Sequence, residues 1–513
     1  MSLKGHEGDP QFRQGENPQN LIGTEFDFGG IKERVITRDD FSLEQARDVL
    51  KDETIAVIGY GVQGPAQANN LRDNGLRVIV GQRGGPGDKT YDKAVDDGWV
   101  PGKTLFSIEE ATRRASNPEK PLKSGQVQNL LSDAGQVQQW NNMRKELIEG
   151  SNLYFSHGFG YTFRDITGIF VPEGVDVTLI APKGAGRSVR EHFLAGRGIN
   201  SSYAVGQDAT GRAIKRSLAT GMGIGSGFLF KTTFEQEVFS DLTGERGVLM
   251  GAAYGLWQAA YNVLREDGFS PEQAAQHTVE SSTQVISKII GERGADGLVR
   301  DLPRNLKQPF VKGFIASYQA VEPVFDDLYK QVATGSEAKR VLDANSKPDY
   351  RETLDRELKE IADSELGMAA TGVRNQRGIE VAGMPPVIDN HFDAVMAGAL
   401  VGLMHSQYDL FRNKSHMPSE AFNETVEEAT QSLYPLIDRN GIDWMYANCS
   451  TTAQRGALDW NGKFRDAIAG RIGDAYRGRE PASTSVIEER ILGSEMWKAG
   501  ETVRNLRPEN QRL

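Results

Sequence analysis

Thiols are almost absent from this chain: its 513 residues include one cysteine, Cys449. A single thiol can form no intrachain disulfide and no multi-thiolate zinc or iron–sulfur site, and this scarcity suits a reducing compartment. Positive charge is in deficit too. Fifty-nine Lys and Arg stand against 70 Asp and Glu, a formal net charge of −11 at pH 7. Nothing in that balance favours a nucleic-acid or anionic-membrane partner. Long apolar runs are missing, and none approaches the ~20 residues that span a bilayer. The opening residues MSLKGHEGDPQFRQGENPQN lack the apolar core of a secretory signal, and Glu7, Asp9 and Glu16 speak against a transit peptide. The expected location is the cytoplasm, with a mature plastid chain as the alternative.

What is present is the composition of a globular protein, with 38% hydrophobic and 25% charged residues. At roughly 100–200 residues per domain the length implies two to four domains. The first segment, to residue 209, alternates strand and helix patterns. TIAVIGYG (54–61), LRVIVGQ (76–82), LYFSHG (153–158), DVTLIAPKG (176–184) and NSSYAVGQD (200–208) read as strands, and PAQANNLRDNG (65–75) as a helix ended by Gly75. Strands separated by helices imply a parallel sheet with helical faces. Residues 114–127 are polar, contain two prolines and read as a surface loop. From residue 210 the periodicity is helical, and 372–390 form a Gly/Pro-rich connection.

The helical half contains a repeat. Residues 248–280 align without gaps on 395–427, an offset of 147, with 12 of 33 positions identical. A period this long means a duplicated helical domain and not a solenoid. The expected organisation is a Rossmann-type α/β domain (1–209) followed by an all-α part made of two copies (210–371 and 372–513).

GYGVQG (59–64) is a G-x-G-x-x-G run between an expected strand and an expected helix. In that context Gly59 permits the tight turn, Gly61 lets backbone approach a pyrophosphate, and Gly64 allows close helix packing. Gln63 lies inside the same run. A chain that binds NAD usually places an acid at the end of the next strand to bind the ribose 2′-hydroxyl. Here Gln82 and Arg83 stand there, followed by Lys89 and Thr90. An Arg with a hydroxyl suits a 2′-phosphate, so NADPH is the expected cofactor.

Two acidic pairs stand at i,i+4 spacing, Asp241 with Glu245 and Glu424 with Glu428. Like charges on one helical face repel, and a divalent cation removes the repulsion. An all-oxygen set selects a hard ion such as Mg²⁺. The repeat links the pairs. The offset carries Asp241 and Glu245 onto Ile388 and Phe392, and Glu424 and Glu428 back onto His277 and Ser281. Each copy keeps one pair and lacks the other. A two-fold packing of the copies would assemble one four-carboxylate site and leave its sister position without carboxylates, free for apolar packing.

At this point the chain resembles the ketol-acid reductoisomerases in their long, duplicated form, with plant-type members the nearest in pattern. The resemblance spans residues 54 to 470 and rests on SDLTGERGVLMGA, NETVEEATQSL, NCSTTAQRGALDW, SHGF and APKG. It implies two Mg²⁺ held by Asp241, Glu245, Glu424 and Glu428, with Asp241 bridging. It implies His157 and Lys183 beside the metals and the nicotinamide, and Gly186 near the cofactor. Ser132, Asp133 and Gln136 of the S-D-x-x-Q turn would serve the adenosine side. Leu249, Met250 and Leu433 would line an alkyl pocket, and Ser450 would meet the substrate.

The implied reaction is an alkyl migration in a 2-hydroxy-3-keto acid followed by hydride reduction, giving the 2,3-dihydroxy acids of valine and isoleucine synthesis. Glu428 or a metal-bound hydroxide would accept the hydroxyl proton. A homo-oligomer, dimer or tetramer, is expected, with a small-molecule substrate as the other partner. The rival readings are another two-domain NADP-dependent hydroxyacid dehydrogenase and a nonenzymatic NADP-binding protein. The 494–513 extension carries no assigned role.

Overall fold

Ten short strands pair into one sheet, which the helical half then covers at one end. The structure is a computed structural model and describes residues 22–377 and 391–511. The strands are β1 (Thr24–Asp27), β2 (Lys32–Ile36), β3 (Ile55–Ile58), β4 (Val78–Gly81), β5 (Leu105–Phe106), β6 (Gln126–Asn129), β7 (Asn152–Phe155), β8 (Asp176–Pro182), β9 (Ser201–Gln207) and β10 (Leu229–Lys231). Their order across the sheet is β1-β2-β10-β9-β8-β7-β6-β3-β4-β5. The block from β5 to β8 is parallel throughout, with β3 between β4 and β6. Strand order reverses on either side of β3. In such a sheet the crevice outside the strand C-termini at that switch point is where a dinucleotide lies.

β3 explains why this block forms. Ile55, Ala56, Val57 and Ile58 are all at most 1% exposed, the unbroken apolar run of a strand covered on both faces. Fully burying each aliphatic side chain contributes about 1.5–3 kcal/mol. The helix Gly64–Asp73 follows at once, with Pro65 in its first turn, where a missing N–H costs nothing.

The sheet is larger and less uniform than the sequence suggests. β9 runs antiparallel to β8, β2 antiparallel to β10, and β1 and β2 form an antiparallel hairpin. Side-chain alternation is the same in either orientation, so pattern alone did not reveal these reversals. Part of the expected loop 114–127 is helix and strand: the helix Ile108–Ser116 runs into it, and β6 begins at Gln126. β6 is polar yet buried, and its side-chain hydrogen bonds run through one atom, while the side-chain amides of Gln128 and Asn129 are buried without partners. The Gln126 Oε1 accepts from Asn152 Nδ2 at 3.3 Å and Thr220 Oγ1 at 2.9 Å. The expected domain end at 209 falls within the sheet domain, which the helix Ala213–Gly223 and β10 complete. A three-residue strand is too short to leave a periodic signal. The expected boundary at 371 cuts the helix Glu365–Gln376.

The duplication is visible element by element. The 147-residue offset carries Pro271–Ala275 onto Pro418–Phe422, and the π-helical segment Gln276–Ile286 onto the π-helical turns Asn423–Glu427 and Ala429–Leu433. It carries the kink at Gly294 (φ 74°, ψ 168°) onto Gly441 (φ 103°, ψ 163°), and the start of Arg304–Ala333 onto the start of Thr451–Tyr476. Helix Gly251–Glu266 packs along Thr451–Tyr476, and Arg304–Ala333 along Ala394–Asn413. The helix that opens each repeat therefore lies on the other copy's longest helix. The close approach repeats as well: a Cβ on Gly255 would lie 2.6 Å from Asn461 O, and one on Gly402 2.4 Å from Phe314 O. The two copies are interlocked about a pseudo-two-fold axis.

The last helix, Glu495–Asn505, lies against Pro418–Phe422 and β1. Beyond it Arg507 forks onto both carboxylate oxygens of Glu427, at 2.7 and 2.6 Å. The extension therefore clamps the helix that carries Glu424 and Glu428. Among the described residues no helix is long and apolar enough to cross a membrane.

Candidate active site

The glycine turn sits where β3 ends. Gly59 has φ +99°, and a Cβ there would lie 2.9 Å from Leu130 O. Gly64 is pressed closer, its absent Cβ 2.1 Å from Gly59 O, while a Cβ on Gly61 would meet nothing within 4 Å. The turn is thus tight below and open above, the shape that lets a pyrophosphate reach backbone N–H groups at a helix N-terminus. Gln63 turns away from this opening and donates to Gly184 O at 3.0 Å. Gly186 begins the helix Gly186–Leu194 and touches the same loop, since a Cβ there would lie 2.0 Å from Val62 O.

At the end of β4 Arg83 is exposed. Thr90 is already engaged: its hydroxyl donates to Asp88 Oδ1 at 2.7 Å and accepts from Gln82 Nε2 at 2.5 Å. Asp88, which caps the helix Lys89–Asp96, puts a carboxylate into the loop where only bases and a hydroxyl were singled out. On the third loop Ser132 caps the helix Asp133–Glu146 and is exposed, but Asp133 and Gln136 are buried. Asp133 accepts from Thr452 Oγ1 of the helical half, and Gln136 donates to Leu131 O of its own loop at 3.1 Å.

The carboxylates converge beside this crevice. Helix Phe234–Arg246 carries Glu237, Asp241 and Glu245 on one face at successive i,i+4 steps. The π-helical stretch 423–433 carries Glu424 and Glu428. Side-chain oxygens of Asp241, Glu424 and Glu428 lie within 4.8 Å of one another, although 183 residues separate the first two. Glu245 stands at the edge of the group, with its Oε2 3.0 Å from Arg246 Nη1. Burial and the Asp241 charge push the Glu245 carboxyl up to about 8. Burial, with Asp241 and Glu237, outweighs Lys183 and lifts Glu424 to about 8. Burial, then Glu424 and Asp241, raises Glu428 well above the usual range. Glu424 Oε2 and Glu428 Oε2 are buried without a hydrogen-bond partner. This is the electrostatics of a group of anions short of a cation, and its all-oxygen donors fit a hard divalent ion.

Two cations of the chain already face the cluster from strand ends. Lys183, after β8, lies 2.5 Å from Glu424 Oε1 and 3.4 Å from Glu237 Oε1. Burial works against its charge, but these carboxylates hold it well above the ordinary lysine value. His157, after β7, has Nδ1 3.1 Å from Asp241 Oδ2 and 3.4 Å from Glu237 Oε2. Here too burial is overcome, by Asp241 and then Glu237, and the imidazole is held charged. Glu237 was not singled out from sequence. Its Oε2 accepts from Gly158 N at 2.6 Å, and although burial opposes it, Lys183 and His157 hold its carboxyl down at about 2. The single i,i+4 step back from Asp241 was the signal that could have found it.

Leu249 and Met250 form the turn before helix Gly251–Glu266, and with Leu433 they are buried in the main core of the helical half. Gln407 ties that turn to the acidic helix, accepting from Val248 N at 2.8 Å and donating to Glu424 O at 3.2 Å. Ser450 is half-buried and caps helix Thr451–Tyr476, its Oγ accepting from Ala453 N at 3.0 Å. Cys449 beside it has Sγ 3.6 Å from Met250 Sδ.

At the sister position, Ile388 lies outside the described residues. Phe392 packs against the core, as the apolar reading expects. The position is not free of carboxylates, however: His277 faces His391 and Asp393. Asp393 is there because it caps helix Ala394–Asn413, its Oδ1 accepting from Met396 N at 2.8 Å.

Comparison with known proteins identifies the family. Residues 49–228 match the family described as "Acetohydroxy acid isomeroreductase, NADPH-binding domain", and residues 234–378 and 393–509 match "Ketol-acid reductoisomerase, C-terminal domain". The "Ketol-acid reductoisomerase (NAD(+))" of Desulfosudis oleivorans is 52% identical over 350 residues, 68% of this chain and 96% of that protein. The chloroplastic ketol-acid reductoisomerase of Pisum sativum is 34% identical over 423 residues, 80% of this chain and 70% of that protein. A solved NADH-preferring ketol-acid reductoisomerase from an uncultured archean superposes with a TM-score of 0.59 at 27% identity, covering 67% of this chain and all of that one. The chain belongs to the ketol-acid reductoisomerases, nicotinamide-dependent enzymes that isomerise and reduce a ketol acid in branched-chain amino acid synthesis.

Proposed function

We propose that Asp241, Glu245, Glu424 and Glu428 hold two Mg²⁺ ions and that NADPH lies along the 59–64 turn with its adenosine 2′-phosphate toward Arg83. The observation that carries the metal reading is the convergence of half-buried Asp241 with buried Glu424 and Glu428 from the other copy, two of whose oxygens have no hydrogen-bond partner. When bound, the ions would polarise the substrate's oxygens as Lewis acids and the nicotinamide would supply the hydride. The protein's own side chains do the rest. Glu428 Oε2 takes the substrate hydroxyl proton. Lys183, held charged by Glu424 and then Glu237, and His157, held charged by Asp241 and then Glu237, are proton donors at the strand ends facing the crevice. The N-terminus of helix Thr451–Tyr476, with Ser450 Oγ, receives the substrate carboxylate. Leu249, Met250 and Leu433 enclose the migrating alkyl group and keep water out.

One observation favours a second cofactor reading, NADH. The Asp88 carboxylate shares the loop with Arg83. All four proposed metal ligands come from one chain, so the dimer or tetramer we propose is not needed to complete the site; light scattering would give its mass. Cys449, half-buried and with its thiol pushed well up by desolvation and by Glu245, suits the reducing cytoplasm we propose as the location. The function is tested by following cofactor oxidation with 2-acetolactate, before and after chelation and again on adding Mg²⁺. Turnover that survives exhaustive chelation would remove the metal reading, and no turnover with either cofactor would remove the substrate.

A further inference from the structure

The pseudo-two-fold that builds the carboxylate site must generate a second, equivalent position. There the π-helical segment of the first copy faces the residues leading into the second copy's first long helix. This position carries His277, His391 and Asp393, with His277 on the segment Gln276–Ile286 and the other two just before Ala394–Asn413. One ligand atom of each lies within 4.8 Å of the others.

Their contacts overcommit a single atom. His277 Nδ1 is 2.7 Å from Asp393 Oδ2 and 3.0 Å from His391 Nε2. A neutral ring nitrogen carries either a proton or a lone pair. If Nδ1 donates to Asp393, it presents no lone pair to His391. If it accepts from His391, it has no proton for the carboxylate. Both contacts can be hydrogen bonds at once only if a single N–H is shared between the two acceptors.

We propose that His277, His391 and Asp393 form a second metal site, selective for a borderline transition-metal dication represented by Zn²⁺ and distinct from the carboxylate centre. Two imidazoles and one carboxylate are the donors Zn²⁺ takes, whereas Mg²⁺ prefers oxygen alone. Bonds of about 2.0–2.2 Å in a tetrahedron place ligand atoms about 3.3–3.5 Å apart, so the present spacing needs to open by a few tenths of an ångström. Three protein ligands leave a fourth position for water. The carboxylate is pre-aimed: Asp393 N donates to Ser281 Oγ at 2.9 Å while Oδ1 caps the helix, which leaves Oδ2 directed at His277. Since His277 belongs to one copy and the other two ligands to the second, the ion would cross-link the interlocked halves away from the reaction.

The test uses the full chain, stripped with chelator and then saturated with Mg²⁺, titrated with Zn²⁺ by calorimetry and with Co²⁺ by visible absorption. The wild type is expected to bind one Zn²⁺ equivalent that Asp241→Asn retains. His277→Ala and His391→Ala are expected to lose it, with affinity falling by at least the hundredfold that even an outer-shell partner can be worth. Co²⁺ is expected to give a d–d band that disappears in both histidine variants. The thermal midpoint should rise with Zn²⁺ in the wild type but not in His391→Ala, whose Mg²⁺-dependent turnover should be unchanged. His277→Gln serves as a second variant should His277→Ala fold poorly. Equal Zn²⁺ stoichiometry and affinity in the wild type and His391→Ala, or an unchanged Co²⁺ spectrum, would overturn the proposal.

Discussion

Lys183 Nζ lies 2.5 Å from Glu424 Oε1, with both side chains wholly buried, so a strand end of the sheet domain is joined by an ion pair to the second helical copy. Removing one partner of a buried pair leaves an uncompensated charge and costs about 3–5 kcal/mol. Lys183→Met is therefore expected to destabilise the metal-free protein by that amount in urea unfolding above pH 8, where Glu424 is ionised. Added Mg²⁺ should recover part of the loss, because it neutralises the same carboxylates. A variant as stable as the wild type without metal would show that the pair contributes nothing.

The raised carboxyls predict a pH dependence with a definite sign. Glu245 and Glu424 move from the ordinary 4.5 to about 8 in the metal-free fold. The folded state then binds more protons than the unfolded chain between those values, so metal-free stability should fall as pH rises from about 4.5 to about 8. Binding Mg²⁺ requires the carboxylates, so Mg²⁺ uptake at pH 7 should release protons and its affinity should rise with pH up to about 8. Calorimetry in buffers of different ionisation enthalpy measures the protons released, and zero release would refute the shifts.

Gly64→Ala should separate the two halves of the site. Its Cβ would lie 2.1 Å from Gly59 O, so the turn must open, at a cost of about 1–3 kcal/mol. Cofactor affinity is expected to fall roughly tenfold to a hundredfold, with Mg²⁺ binding unchanged. Fluorescence titration of the reduced cofactor and calorimetry of the metal check the two arms.

Arg83→Ala tests the cofactor choice. A charge-assisted contact to a 2′-phosphate is worth about 1.5–3 kcal/mol. NADPH affinity should drop roughly tenfold to a hundredfold while NADH affinity holds. If NADH binds more tightly than NADPH to the wild type, the Asp88 carboxylate decides the pocket and Arg83 does not.

Much of this site was legible in the chain because it is built from spacing. The i,i+4 acids, the glycine run and the 147-residue offset each fix relative positions without knowledge of the packing. Ile55–Ile58 announced itself as a covered strand for the same reason. Gln126–Asn129 did not, since its polar side chains carry no apolar pattern, and the Asn152 and Thr220 that bond Gln126 Oε1 arrive from elsewhere in the chain. Glu237 stayed hidden because its importance lies in Gly158, Lys183 and His157, which only tertiary structure brings to it. Asp133 and Gln136 fall on the expected turn, but motif position could not show that their side chains face inward. Asp393 fell outside the mapped pairs because its cap role belongs to the helix it starts.

The account stands most directly on Asp241, the acid shared by the carboxylate cluster and the His157–Glu237 group. The decisive measurement is turnover of Asp241→Asn with 2-acetolactate and reduced cofactor at saturating Mg²⁺, with cofactor binding measured alongside. The account predicts that isomerisation and reduction are both abolished while the cofactor still binds at the glycine turn. Near wild-type turnover in this variant would contradict the carboxylate cluster as the metal centre.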